Sequence, residues 1–350
     1  MATSANVTVG GMAGRGASVW SPIWNRFKRD RLAVGGAIFI LLLVLMALLA
    51  PVLPIRDPNH GYYELLPANG SPLAPGSAFL LGSDPNGRDL LSRIIWGARI
   101  SLFIGFVANG LALAVGVTVG ALAGYLRGWF ETVLMRLTDV MMAFPVLLFS
   151  IALISIIERG SVFVIVAVIA LFYWTAVARI IRGQVLSLKE REFVEAGRAL
   201  GASPRYNLLH HILPHLVPII IVYGTIGVAT SISTESILSF IGIGVQPPTS
   251  DWGRMVADGQ DFMFLAPWLV IFPGLMILLT VLAFNLIGDG LRDALDPRAR
   301  ALFRGVIGGV TAGGSSITAG QRPSLGALGP QGVPGEARSG REVEAGAEPA

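Results

Sequence analysis

Apolar positions in this chain fall in long blocks separated by short polar connections. They neither alternate residue by residue nor follow a sustained heptad. Six blocks are long enough for a helix, rising about 1.5 Å per residue, to cross a hydrocarbon core about 30 Å thick. They cover 33–53, 101–126, 133–157, 162–182, 215–241 and 267–288. The pattern predicts an all-α membrane protein with six transmembrane helices. The segments that follow are a lead at 1–31, a first span at 32–54, a polar stretch at 55–100, a five-helix core at 101–298 and a tail at 299–350. The first span starts more than thirty residues in and has no small-x-small cleavage site, so it is expected to be an anchor rather than a removed signal. Residues 1–19 and the tail are rich in Gly, Ser, Pro, Ala and Glu. They carry too few large apolar groups to offset the entropy of ordering, and both are expected to be disordered.

Composition agrees with this picture, since 53% of residues are hydrophobic, 14% are charged and the mean hydropathy is +0.67. Cysteine is absent, which excludes disulfides and thiolate metal sites. A net charge of +4 invites a nucleic-acid reading, but the basic residues cluster beside the apolar blocks and no nucleic-acid partner is expected. With the N-terminus placed in the cytoplasm, 20 of the 26 Lys and Arg lie on the inner side, and both termini are predicted cytoplasmic. Arg26, Lys28, Arg29 and Arg31 carry most of that assignment. Arg88, Arg93 and Arg99 sit against it, on the predicted outer side.

Three local patterns stand out. In LGSDPNGRDLLSRIIWGAR, from Leu81 to Arg99, residues 84–87 have turn chemistry. Asp89 is placed to cap a short amphipathic helix with Leu90, Leu91, Ile94 and Ile95 on its apolar side, lying at the membrane surface. In the second span, Gly116, Gly120 and Gly124 recur every four residues, a spacing that lets helix backbones approach closely in lipid. The third pattern is the connection between spans four and five, 183–214. Helix formers from Ser187 to Leu200, closed by Gly201 and followed by Ser203-Pro204, predict two short helices with a bend. On the first of these, Phe193, Ala196, Gly197 and Leu200 share one face, and Arg191, Glu195 and Arg198 share the opposite one. From the residues alone, that apolar face suits either another protein or lipid headgroups.

Ionisable groups inside spans mark pathways or internal partners, because burying charge in lipid is costly. Glu235 is placed either to line a translocation pathway or to hydrogen-bond a neighbouring helix. Asp139 and Asp289 fall near the predicted inner boundary, where water or Arg136 and Arg292 are the expected partners. The only lysines are Lys28 and Lys189, and neither follows Gly, so no phosphate-cradling loop is present. His210, His211 and His215 lack a carboxylate at ligand spacing, and no metal is expected there. No nucleophile motif accompanies them either, so no catalytic residue and no cofactor are expected.

Glu195-Ala196-Gly197, Gly201 and Ile212-Leu213-Pro214 resemble the EAA loop of permeases of ATP-binding cassette (ABC) transporters. The pattern there is Glu-Ala-Ala, three residues, Gly, nine residues, then Ile-x-Leu-Pro. Gly197 stands where the second Ala is usual and His211 where Ile is usual. The stretch 81–99, Asp139 with Pro145, TESILSFIGIGVQPPTSDWG (Thr234–Gly253) and FPGLMILLTVLAFNLIGDGLRDALDPR (Phe272–Arg298) resemble C-type permeases of dipeptide, oligopeptide and nickel importers, in order and spacing. Together these cover residues 25–300.

That resemblance implies a type I importer permease of MetI-like fold in the cytoplasmic membrane. It also implies a homologous second permease, two cytoplasmic ATPase subunits and an extracytoplasmic solute-binding protein. Glu195, Ala196, Gly197, Gly201, Leu213 and Pro214 would couple the chain to an ATPase subunit. Asp84, Gly87, Arg88, Asp89 and Arg93 would meet the binding protein or form an outer gate. Peptides or related small solutes are the implied cargo. The alternative from another class is a secondary transporter driven by an ion gradient through Glu235 and Asp139.

Overall fold

The computed structural model describes residues 20–157 and 161–295, so the lead at 1–19 and the tail at 299–350 lie outside the described residues. Eleven α-helices, a short 3₁₀ helix and a π-helical turn run through the described residues, with one isolated bridge between Ser83 and Asp89. Five single helices are long and apolar enough to cross a membrane, and a sharply bent pair makes a sixth crossing if its two halves are taken together.

Helix α1 (Trp20–Phe27) was not anticipated; its Phe27 packs with Ala33 and Ala294 at the far end of the chain. Helix α2 (Arg31–Leu49) starts where the Asp30 carboxylate accepts from the amides of Leu32 (2.9 Å) and Ala33 (3.1 Å), two donors that the first turn otherwise leaves unpaired. Ile40, Leu43 and Ala47 are buried, whereas Leu41, Leu42, Leu45 and Leu48 face outward, as a lipid-facing stripe must.

The expected surface helix and second span are one continuous helix, α3 (Leu90–Leu126), of 37 residues. No proline or strong breaker separates Leu90 from Ser101, so the hydrogen-bond ladder simply continues. Its first turns are covered by the chain and do not lie on a membrane surface: Leu90, Ile94 and Ile95 are buried, and the Trp252 indole donates to the Ile94 carbonyl at 3.0 Å. Further along, the glycine stripe packs on α6 (Val162–Lys189). A Cβ on Gly116 would stand 2.6 Å from the Val177 Cβ, and one on Gly124 would stand 2.8 Å from the Val185 Cβ. Helix α6 itself runs seven residues past the expected end at Arg182.

The third expected span is broken. Helices α4 (Gly128–Ala143) and α5 (Val146–Ile157) meet at 88°. Pro145 has no amide hydrogen to give, and it biases Phe144 to extended backbone, here φ −87° and ψ 135°. After α6 comes α7 (Glu192–Ala199), then α8 (Pro204–Tyr206), one helical turn capped by Ser203. A π-helical turn, Asn207–Ile212, leads from α8 into α9 (Leu213–Phe240). Helix α10 (Trp252–Gln260), also unanticipated, precedes α11 (Trp268–Leu295). The main core joins α2, α3, α9, α10 and α11 around Leu102, Ile232, Trp252 and Phe284.

Candidate functional site

The connection between α6 and α9 is shorter than the sequence implied, because both long helices extend into it. What remains free is α7 and its closing turn. Leu200, Gly201 and Ala202 end α7 in a Schellman arrangement: Ala202 N donates to Gly197 O at 3.0 Å, and Gly201 N donates to Arg198 O at 2.9 Å. The turn needs Gly201 at φ +83°, a left-handed conformation that costs other L-residues about 1–2 kcal/mol.

One residue seats α7. Val194 is wholly buried in a cluster with Tyr125, Ile181, Val185, Ile212 and Leu216. On the other side, Leu200 is 89% and Phe193 38% exposed, and Ala196 is exposed too. The Glu195 carboxylate has no hydrogen-bond or ion-pair partner among the described residues, while its amide donates to Arg191 O at 3.2 Å. Of the expected face, Gly197 alone turns partly inward, where an added Cβ would stand 2.7 Å from the Asn207 Oδ1. Leu213 packs beside the Val194 cluster, and Pro214 is exposed at the start of α9.

The histidines are used in packing here. His215 stacks on Phe193 with ring centres 4.8 Å apart, and His210 stacks on Tyr206 at 4.3 Å. The Nδ1 of His215 lies 2.6 Å from the His211 carbonyl oxygen. At the base of α7, Arg127 pairs with Glu190 at 2.8 Å, and the Lys189 ammonium donates to the Tyr125 carbonyl. Val194, Tyr125 and Asn207 escaped the sequence reading. The only available signal was a single aliphatic residue flanked by Glu192 and Glu195, too short to show a period.

At the opposite end, the residues of 84–93 are brought together, but mostly inside the chain. Asp84 accepts from the amides of Asn86 and Arg88, each at 2.9 Å, and lies 3.6 Å from the Arg93 Nε. Burial lifts the Asp84 carboxyl above its ordinary range, while the amides and Arg93 pull it back. Arg93 is 3% exposed and also donates to the Pro58 carbonyl at 3.2 Å. Asp89 caps α3, accepting from the Ser92 amide at 2.9 Å. Gly87 turns at φ +69°, with its carbonyl held by Tyr62 N at 2.9 Å. Arg88 is the partly exposed cation of the group.

Glu235, expected at a pathway or a helix contact, lies on α9. Its carboxyl is fully buried and accepts from the Ser239 hydroxyl at 2.8 Å, with the Asp251 carboxyl as its neighbour. Asp251 in turn caps α10, accepting from Gly253 N at 3.0 Å and Arg254 N at 3.2 Å. Burial raises the Asp251 carboxyl above its ordinary value. Asp139 pairs with Arg179 at 2.6 Å, not with Arg136 as expected. Asp289 is exposed.

Residues 116–301 match the sequence profile of the family described as binding-protein-dependent transport system inner membrane component. Residues 18–72 match the N-terminal TM domain of oligopeptide transport permease C. The chain is 44% identical over 283 residues to the glutathione transport system permease protein GsiD of Pectobacterium atrosepticum, covering 81% of this chain and 92% of that one. It is likewise 44% identical over 282 residues to GsiD of Escherichia coli O157:H7, covering 80% and 91%. Among solved structures, an inward-facing MetNI methionine ABC transporter aligns at a TM-score of 0.45 and 19% identity, covering 58% of this chain and 97% of that one.

Proposed function

Because the chain belongs to the family of binding-protein-dependent transport system inner membrane components, as a C-type permease of its peptide branch, we propose that α7 is the helix through which ATP hydrolysis drives it. The chain is a multi-pass subunit of an ABC importer in the cytoplasmic membrane. Partner subunits hydrolyse ATP, and a binding protein delivers the solute. In our reading the N- and C-termini and α7 face the cytoplasm, and a homologous second permease completes the pathway. Glu195, Ala196 and Leu200 enter a groove on an ATPase subunit. Arg88, flanked by Asp84, Gly87, Asp89 and Arg93, faces the binding protein or outer gate. The relatives' names support a small peptide of the glutathione kind as solute.

The observation that carries this reading is the uncovered apolar side of α7 on a helix fixed by Val194 and the Gly201 turn. An amphipathic helix resting on lipid needs no such rigid closure, whereas a lever does. When the ATPase pair closes, force on α7 passes through Val194 into α6 and α9, whose buried side chains share its cluster. Glu195→Ala and Gly201→Val, each in the full transporter reconstituted with its ATPase and binding protein, test the idea. Both variants should assemble while uptake falls about tenfold or more, the loss of an interface anchor. ATP hydrolysis should also lose its stimulation by loaded binding protein. Undiminished uptake in both variants would rule the coupling role out.

A further inference from the structure

A side chain from the next element meets the second half of α7. Asn207 opens the π-helical turn between α8 and α9 and is wholly buried. Its backbone amide donates to Ser203 O at 3.0 Å, which ties it to the start of α8. The side-chain Nδ2 donates to Ala202 O at 3.4 Å, so the Oδ1 end of the carboxamide is the one turned towards Gly197. A Cβ on Gly197 would stand 2.7 Å from that oxygen. No group among the described residues donates a conventional hydrogen bond to it. What occupies the Cβ direction is the second α-hydrogen of Gly197, the donor of a weak C–H···O contact. Since Ala202 N donates to Gly197 O at 3.0 Å, the carboxamide closes a ring across both sides of the Gly201 turn.

That ring gives a physical cause for glycine at 197, where alanine is usual in the loop this segment resembles. A methyl group there displaces Oδ1, and a buried amide that swings away loses its bond to Ala202. Val194 and the stack of His215 on Phe193 hold the first half of α7. A helix of two turns held at one end pivots about it, and a glycine turn resists that pivot poorly. We propose that Asn207 is a positioning residue for coupling: it fixes the second half of α7 against α8 and α9, so that force on Leu200 moves α9 instead of rotating α7. This rests on α7 being the helix that meets the ATPase.

Spin labels read the joint by itself, whatever α7 docks on. In the full-length chain, nitroxides on Ala199→Cys and Tyr223→Cys, both at exposed positions, should give one narrow distance by double electron-electron resonance. Asn207→Ala should widen that distribution about twofold, because the second half of α7 then lacks its tie. Gly197→Ala should widen it too, but should add nothing in the Asn207→Ala background, where the oxygen that the methyl meets is gone. If Asn207→Ala fails to fold, the shorter Asn207→Ser carries the same comparison. In the reconstituted importer, Asn207→Ala should cut the stimulation of ATP hydrolysis by loaded binding protein about threefold, the worth of one neutral contact. A distribution that stays narrow in Asn207→Ala, or a Gly197→Ala effect of equal size with and without Asn207, would overturn the joint while leaving the coupling reading to its Glu195→Ala test. A widened distribution with undiminished stimulation would overturn the positioning role, showing a contact that serves the fold alone.

Discussion

At the α10 end, Asp84, Arg93, Glu235 and Asp251 are buried and each has a partner within the chain, whereas at the α7 end Phe193 and Leu200 face outward and the Glu195 carboxylate touches no polar partner among the described residues. The contrast follows from what each end must do. Buried charge is tolerable only when every group is answered, and the answering groups come from different elements: Arg93 from α3, Glu235 from α9 and Asp251 from the start of α10. That end is cross-tied. Helix α7 hangs from the body by Val194, the Gly201 turn and the stack of His215 on Phe193, and it leaves Ala196 and Leu200 uncovered. The proposed lever role fits this asymmetry, with internal satisfaction at one end and an uncovered surface at the other.

Substitutions at the two ends should separate accordingly. The largest effect is expected from Trp252→Ala, which empties a fully buried site and removes the indole bond to Ile94. A loss of about 3–5 kcal/mol should appear as a large drop in the melting temperature of the detergent-solubilised chain. A drop of only a degree or two would mean that α10 is not integral to the core. Next, Arg93→Ala leaves Asp84 buried beside an empty place, and about 3 kcal/mol should be lost. Arg88→Ala should cost far less, since its guanidinium is partly solvated and 3.9 Å from Asp84. Equal losses at the two arginines would erase the distinction between buried and peripheral members of that cluster.

Gly201→Ala sits in the middle. Forcing Ala to φ +83° should cost about 1–2 kcal/mol, with a disproportionate fall in transport. Asp251→Asn should show itself through pH. Burial raises the folded carboxyl above its ordinary 3.8, so the stability it contributes is complete below the unfolded value and is lost as pH rises through the folded one. The Asn variant should therefore gain on wild type in melting temperature as pH rises above the ordinary carboxylate value, and parallel curves would refute the raised carboxyl. The smallest structural effect is expected from Leu200→Ser, within about 0.5 kcal/mol of wild type and yet defective in transport. A strongly destabilised Leu200→Ser would place that side chain in the fold rather than at an interface.

The sequence made the spans and the α7 segment legible because length of apolar run and helix-end chemistry are local signals. Asp30, Asp89, Ser203 and Gly201 all stand where capping rules put them. Two features were misjudged for want of tertiary information. The amphipathic pattern at Leu90–Ile95 fits a membrane surface as well as a protein groove, and only Trp252, some 158 residues distant, decides for the groove. The kink at Pro145 was visible as a residue, but a hydropathy window averages across it and returned one straight span. Helix α10 is short and has little net hydrophobicity, so its only clues were the cap at Asp251 and an apolar Trp252 and Met255 on one side. Glu235 stands out in the sequence as an acid within an apolar run. Its neighbour Asp251 does not, because a contact between two acids has no spacing rule.

The most direct test of coupling uses the absence of cysteine from the chain. In Leu200→Cys, the single thiol can carry a photoactivatable crosslinker in membranes containing the whole importer. Irradiation should yield an adduct between this chain and an ATPase subunit, with a yield that changes when ATP is added. An adduct with the extracytoplasmic binding protein, or one with lipid only, would contradict the account.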